Sequence, residues 1–172
     1  MAIHRLNHAV LFVQDVGRSV SFYRDVLGFE LVNELGGKAA FLRAPESHND
    51  HDLGLFEIGA QAGPSQAGRT TVGLYHLAWE VDTLRDLETL AGRLAEAGAL
   101  VGSSDHSTTK SLYGKDPDGL EFEIAWVVPA DLLDEAALAG RSQIRPLDLG
   151  REMARYGADS HGGLGISRAV VG

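Results

Sequence analysis

Apolar and polar positions alternate along the first three quarters of the chain in two distinct periods. Leu6-Asn-His8-Ala-Val-Leu-Phe-Val13 is rich in apolar and β-branched residues and reads as a strand. Residues 19–27 switch to helical spacing, with Val20, Tyr23, Val26 and Leu27 on one face. Gly28 follows where a left-handed residue closes a helix. Short strands are predicted over residues 29–32, 38–43 and 51–58, with Gly36-Gly37 as the turn between the first two. Gly59 to Thr71, rich in Gly, Ala, Gln and Ser, reads as a linker or loop.

The pattern then restarts. Tyr75-His76-Leu-Ala-Trp-Glu-Val81 mirrors Asn7 to Val13. Residues 83–97 form a longer amphipathic helix, with Leu84, Leu87, Leu90, Leu94 and Ala97 inward and Gly98 at the cap. Strands follow at Leu100-Val101, around Tyr113 and around Glu123. Strand, helix and three strands occur twice, an internal repeat of about 68 residues. In that alignment His8 matches His76, and Glu57 matches Glu123. The expected fold class is α+β: two βαβββ modules over residues 4–62 and 72–128, their curved mixed sheets forming a metal-binding cleft. Residues 129–172 form a C-terminal extension, helical over 130–139 and 148–156 and frayed from Ser160 onward.

Composition narrows the chemistry. The 172 residues, 44% hydrophobic and 23% charged, suit one domain or two small modules. A net charge of −9 without a basic cluster argues against nucleic acid or an anionic membrane as partner. No apolar run is long enough to span a bilayer, and a cytoplasmic location is expected. With no cysteine, any metal must use His, Asp or Glu, which suits Fe(II), Mn(II), Zn(II) or Ni(II).

Three groups stand out because each lies in an otherwise apolar strand: His8, His76 and Glu123. An ionised carboxylate beside Phe122, Ile124 and Trp126 is costly unless a cation holds it. Two imidazoles and one carboxylate from separate strands form a facial set that leaves metal positions open for substrate and oxygen. Asp116-Pro117-Asp118-Gly119 makes the tight turn before Glu123, and Tyr113 and His106 lie just upstream.

The doubled module plan, the openings Leu6-Asn7-His8 and Leu74-Tyr75-His76, and Asp116-Pro-Asp-Gly-x-x-x-Glu123 resemble the vicinal oxygen chelate superfamily, over residues 4–128. That superfamily includes glyoxalase I, fosfomycin and bleomycin resistance proteins and the extradiol ring-cleaving dioxygenases. The resemblance implies His8, His76 and Glu123 as metal ligands. His51, opening His-Asp-Leu-Gly-Leu-Phe, His106, in Asp-His-x6-Tyr, and Tyr113, ten residues before Glu123, resemble the extradiol dioxygenase pattern. In that pattern one histidine lies beside the oxygen site, another is the acid/base group, and the tyrosine hydrogen-bonds the bound catecholate. The implied activity is Fe(II)-dependent, or Mn(II)-dependent, cleavage of a small aromatic diol by O2. Glu57 as a fourth ligand would instead indicate a glyoxalase-like lyase or isomerase. A non-enzymatic, antibiotic-binding protein is the third reading. An exposed module edge and the linker point to a homodimer.

Overall fold

The computed structural model describes residue 3 and residues 5–163. It contains two four-stranded mixed sheets, each with one parallel and two antiparallel pairings, as the repeat predicts. Among the described residues, one compact unit runs to Gln66 and takes in Asp116–Leu120, and the other takes in Ala67–Lys115 and the residues from Glu121 onward.

In the first unit the order is β1 (Ala9–Val13), α1 (Val16–Asp25), β2 (Glu30–Leu35), β3 (Ala39–Arg43) and β4 (Leu53–Glu57), paired β1-β4-β3-β2. Strand alternation sends Leu11 and Val13, Leu53 and Leu55, and Ala40 and Leu42 into the core, beside Val16, Val20 and Tyr23 of α1. Asp15 caps α1 by accepting from the Arg18 N–H at 2.8 Å. Gly28, at φ 84°, ends it, as expected from sequence. The turn Asp116–Leu120 belongs to this unit. Asp116 Oδ1 accepts the N–H groups of Asp118 and Leu120, each at 2.9 Å, while Oδ2 accepts the Tyr23 hydroxyl at 3.2 Å. Burial pushes the Tyr23 phenol well above its ordinary pKa, reinforced by the Asp116 charge.

The second unit runs β5 (His76–Glu80), α2 (Leu84–Glu96), β6 (Leu100–Asp105), β7 (Thr109–Lys115) and β8 (Glu121–Val127), paired β5-β8-β7-β6. Phe122, Ile124 and Trp126 of β8, Leu112 of β7 and Leu84, Leu87 and Leu94 of α2 are buried. Ala97, expected inward, is exposed, because the helix closes at that residue and Ala99 takes the buried position after Gly98. Thr83 and Asp86 form a reciprocal capping box at the start of α2.

The extension packs on this second unit. Its expected first helix is split into a 3-10 turn, Ala130–Leu132, and α3 (Glu135–Gly140). The break falls where Asp134 turns its side chain back to accept the Ala137 N–H at 2.7 Å, starting a new helix. Helix α4 (Leu149–Tyr156) carries Glu152, whose carboxylate is 2.9 Å from Lys110 Nζ, with the two side chains 2% and 1% exposed. Lys110 also donates to Asp105 Oδ1 at 2.5 Å, and Arg151 reaches both acids, at 2.9 Å to Glu152 and 3.4 Å to Asp105. Two cations and two anions thus neutralise one another beneath β7. The frayed end expected from Ser160 falls, for residues 164–172, outside the described residues.

This cluster sets an acid limit. Burial pushes the Asp105 carboxyl up, but the Lys110 and Ser107 hydrogen bonds and the Lys110 and Arg151 charges outweigh it and hold the carboxyl below its ordinary value. A depressed folded-state pKa adds stability above the unfolded value of about 3.9 and loses it as pH falls through the folded value. Asp105→Asn therefore flattens the acid side of the stability–pH curve below about pH 4, measured by urea unfolding at stepped pH; an acid slope equal to that of the wild type contradicts this.

Candidate functional site

On β8 the alternation decides everything. Glu121 and Glu123 face the side of the sheet opposite Phe122, Ile124 and Trp126. The apolar neighbours of Glu123 in sequence are therefore not its neighbours in space. Its surroundings come from the adjoining strands. Tyr113 of β7 stands directly across in the antiparallel register, and Ser111 lies two residues back on the same face. The Ser111 hydroxyl donates to Glu123 Oε1 at 2.5 Å, and His76 Nε2 lies 3.1 Å from Oε2. Ser111 carried no signal as an isolated serine; its two-residue spacing from Tyr113 on a strand would have placed it here.

The Tyr113 hydroxyl is 2.8 Å from His106 Nε2. Burial, then the Glu123 charge, pushes the phenol above its ordinary pKa, against the Ser111 and Ser104 hydroxyls. Tyr113 is thus a protonated phenol at neutral pH, sharing its hydrogen bond with an imidazole. His76 rests against the Tyr75 ring at 4.6 Å, and its Nδ1 is buried without a hydrogen-bond partner among the described residues.

In the first unit His8 and His51 lie together, ring centroids 4.6 Å apart, with His51 also 4.9 Å from Phe41. Both precede their strands: β1 begins at Ala9 and β4 at Leu53, so His8 is exposed on a strand approach instead of lying within an apolar strand. His51 Nδ1 is 2.9 Å from the acceptor-only carboxylate of Asp50, so Nδ1 carries a proton, and in the neutral imidazole Nε2 is then the acceptor.

Glu57 stands elsewhere. Its Oε1 accepts from Lys38 Nζ at 2.6 Å and its Oε2 from the Val16 N–H at 3.4 Å, at the start of α1. The Lys38 hydrogen bond, then that of Val16, holds the carboxyl below its ordinary pKa. His51 does not share a face with Glu57: it lies outside β4 and meets Phe41 edge-on, and Phe41 meets Phe56 on the side of the sheet opposite Glu57. The repeat match of Glu57 to Glu123 fails as well. Ala9 pairs with Leu53 as Leu77 pairs with Phe122, so the counterpart of Glu123 is Gly54, and that of Tyr113 is Phe41. The first unit presents His8 and His51 beside Phe41; the second presents the Glu123 carboxylate and the Tyr113 phenol with His76 and His106.

Within either unit, no three His, Asp or Glu side chains among the described residues gather closely enough to hold a metal ion. What the second unit does present is a pair. Two cis ligands each about 2.1 Å from an ion lie about 3 Å apart, and His76 Nε2 and Glu123 Oε2 have that separation. With Ser111 orienting the carboxylate, the pair fits a divalent ion taking nitrogen and oxygen donors.

The sequence pattern of the glyoxalase/bleomycin resistance protein/dioxygenase superfamily matches residues 5–124. The chain belongs to this superfamily. Among its relatives in it, biphenyl-2,3-diol 1,2-dioxygenase 3 of Rhodococcus globerulus is 36% identical over 126 residues, covering 70% of this chain and 62% of the other. Glutathione transferase FosA of Serratia marcescens is 30% identical over 125 residues, covering 71% of this chain and 80% of the other. A solved glyoxylase/bleomycin resistance protein/dioxygenase domain from Frankia sp. EAN1pec superposes with a TM-score of 0.61 at 25% identity, covering 72% of this chain and 92% of that domain. The chain spans less than two thirds of the length of the dioxygenases it matches. Residues 129–172 lie beyond the stretch that the superfamily pattern matches.

Proposed function

We propose that this superfamily member is a metal-dependent extradiol dioxygenase, with His8, His76 and Glu123 as ligands of Fe(II), or of Mn(II), and with His51, His106 and Tyr113 around the reacting oxygens. The observation that carries the reading is the Tyr113–His106 pair facing the oriented carboxylate of Glu123. A phenol kept protonated beside an imidazole is suited to a catechol, whose hydroxyl must lose a proton and whose oxygen must then be held. The dioxygenase relative acts, by its name, on an aromatic diol.

The metal, when bound, supplies the electronic path between diol and O2. The chain's own groups do the rest. His106 Nε2 accepts the diol proton, and the Tyr113 O–H holds the resulting oxygen anion. His51, with its proton fixed on Nδ1 by Asp50, offers Nε2 as the acceptor on the oxygen side. Both oxygen atoms of O2 enter the product as the carbon–carbon bond beside the diol breaks, so no reductant is consumed and the product is a ring-opened semialdehyde. A cytoplasmic homodimer, with the diol and O2 as its small-molecule partners, belongs to the same proposal.

FosA, matched over most of its length, favours a second reading as a lyase, isomerase or transferase of the same superfamily. That chemistry by a four-ligand site would need a second carboxylate, and Gly54 occupies its place while Glu57 serves α1 and Lys38. The Ser111 and His76 contacts that orient the Glu123 carboxylate support a metal site over a purely binding protein. The test is anaerobic loading with Fe(II), then oxygen uptake on a panel of catechols beside lyase assays on methylglyoxal hemithioacetal. Equimolar oxygen uptake and a coloured semialdehyde are expected. Bound iron with no uptake on any diol contradicts the proposal.

A further inference from the structure

We infer that the C-terminal extension, outside the superfamily pattern, is a clamp that positions His106. The inference rests on the reading of His106 as the proton acceptor. His106 sits at the tip of the β6–β7 hairpin, between Asp105 and Ser107. Ser107 has φ 69°, a left-handed conformation that L side chains seldom adopt without being held. It is gripped at both ends: its N–H donates to Asp105 Oδ1 at 2.7 Å, and its carbonyl accepts from Lys110 Nζ at 3.0 Å.

The groups that hold Asp105, Ser107 and Lys110 come from the extension. Glu152 of α4 pairs with Lys110, as described above. Arg145 exchanges two backbone hydrogen bonds with Asp105, at 2.8 and 3.0 Å. Gly140, the last residue of α3, lies so close to Ser107 that a Cβ there would stand 2.6 Å from the Ser107 hydroxyl. Two points of the extension therefore meet the three-residue tip directly, and a third, Glu152, reaches it through Lys110. The 2.8 Å contact between His106 Nε2 and Tyr113 depends on where that tip is held. His106 and Tyr113 touch the reacting atoms; Lys110, Glu152 and Gly140 position them.

Two variants test this from different directions. Glu152→Gln removes one charge from beneath the tip, and Gly140→Ala pushes a methyl against Ser107 from above while keeping α3 a good helix former. In metal-free protein, each is expected to move the imidazole NMR signals of His106, with cooperative thermal unfolding retained. In iron-loaded protein each is expected to lower kcat about tenfold or more with KM within about twofold. Arg85→Ala, which loosens the Asp159 end of the same extension, is the control and leaves both readouts at wild-type values. Unmoved His106 signals in both folded variants overturn the clamp, as does an equal change from Arg85→Ala. Moved signals in a protein that cleaves no diol uphold the clamp and reject the dioxygenase reading instead.

Discussion

Glu123→Ala lowers affinity for Fe(II) or Mn(II) by more than about 100-fold and abolishes diol cleavage with it. The magnitude follows from the carboxylate's place in the proposed donor set. Loss of a group that only orients a metal ligand typically costs 10–100-fold in affinity, and Glu123 is read as the ligand itself. Removing it also strands the Ser111 hydroxyl, which donates to Oε1, and frees His76 Nε2 from its neighbour at 3.1 Å. Glu57→Gln is the matched comparison. Glu57 serves Lys38 and the start of α1, so that variant leaves metal affinity intact. Equilibrium dialysis with elemental analysis reads both variants. Equal losses from the two would place the metal near neither carboxylate in particular.

Lys110→Met destabilises the protein by about 3 kcal/mol or more, a fall in Tm of roughly 6–12 °C for a chain of this size. The methionine keeps the apolar stem, so the cost is electrostatic. Asp105 and Glu152 stay buried, and only Arg151, itself half exposed, remains to neutralise them. Lys110 also lies 5.5 Å from the centroid of the Tyr156 ring, so α4 loses a second contact. Replacing the whole set, Lys110→Met with Asp105→Asn and Glu152→Gln, recovers part of the loss because no ionised group is left unpaired. Thermal unfolding followed by near-ultraviolet circular dichroism checks both. A Tm within about 2 °C of wild type for the single variant would mean that the acids are solvated or protonated already.

The fold was legible because its signals were local and doubled. Val20 and Tyr23 on α1, Leu84, Leu87 and Leu94 on α2, and Gly28 and Gly98 after each helix are where period and cap chemistry put them. The site was legible in part. Glu123 attracted attention through Phe122, Ile124 and Trp126, yet alternation turns those side chains to the other face. What surrounds the carboxylate is Ser111, Tyr113 and His76, from two other strands, and nothing but pairing register could bring them there. Register also separates Glu57 from Glu123: element order aligned them, but hydrogen-bond partners align Gly54 instead. The extension was the least legible. Lys110 reads in sequence as an ordinary strand-edge lysine, and only tertiary packing shows that Glu152, 42 positions away, is its partner.

The most direct test of the ligand assignment is a crystal structure of Mn(II)-loaded protein with the metal located by its anomalous scattering. The expected result is one ion bonded by His76, Glu123 and His8, with its remaining positions open to solvent or diol. An ion held by Glu57 or by a fourth protein donor, or found away from Glu123, would contradict it.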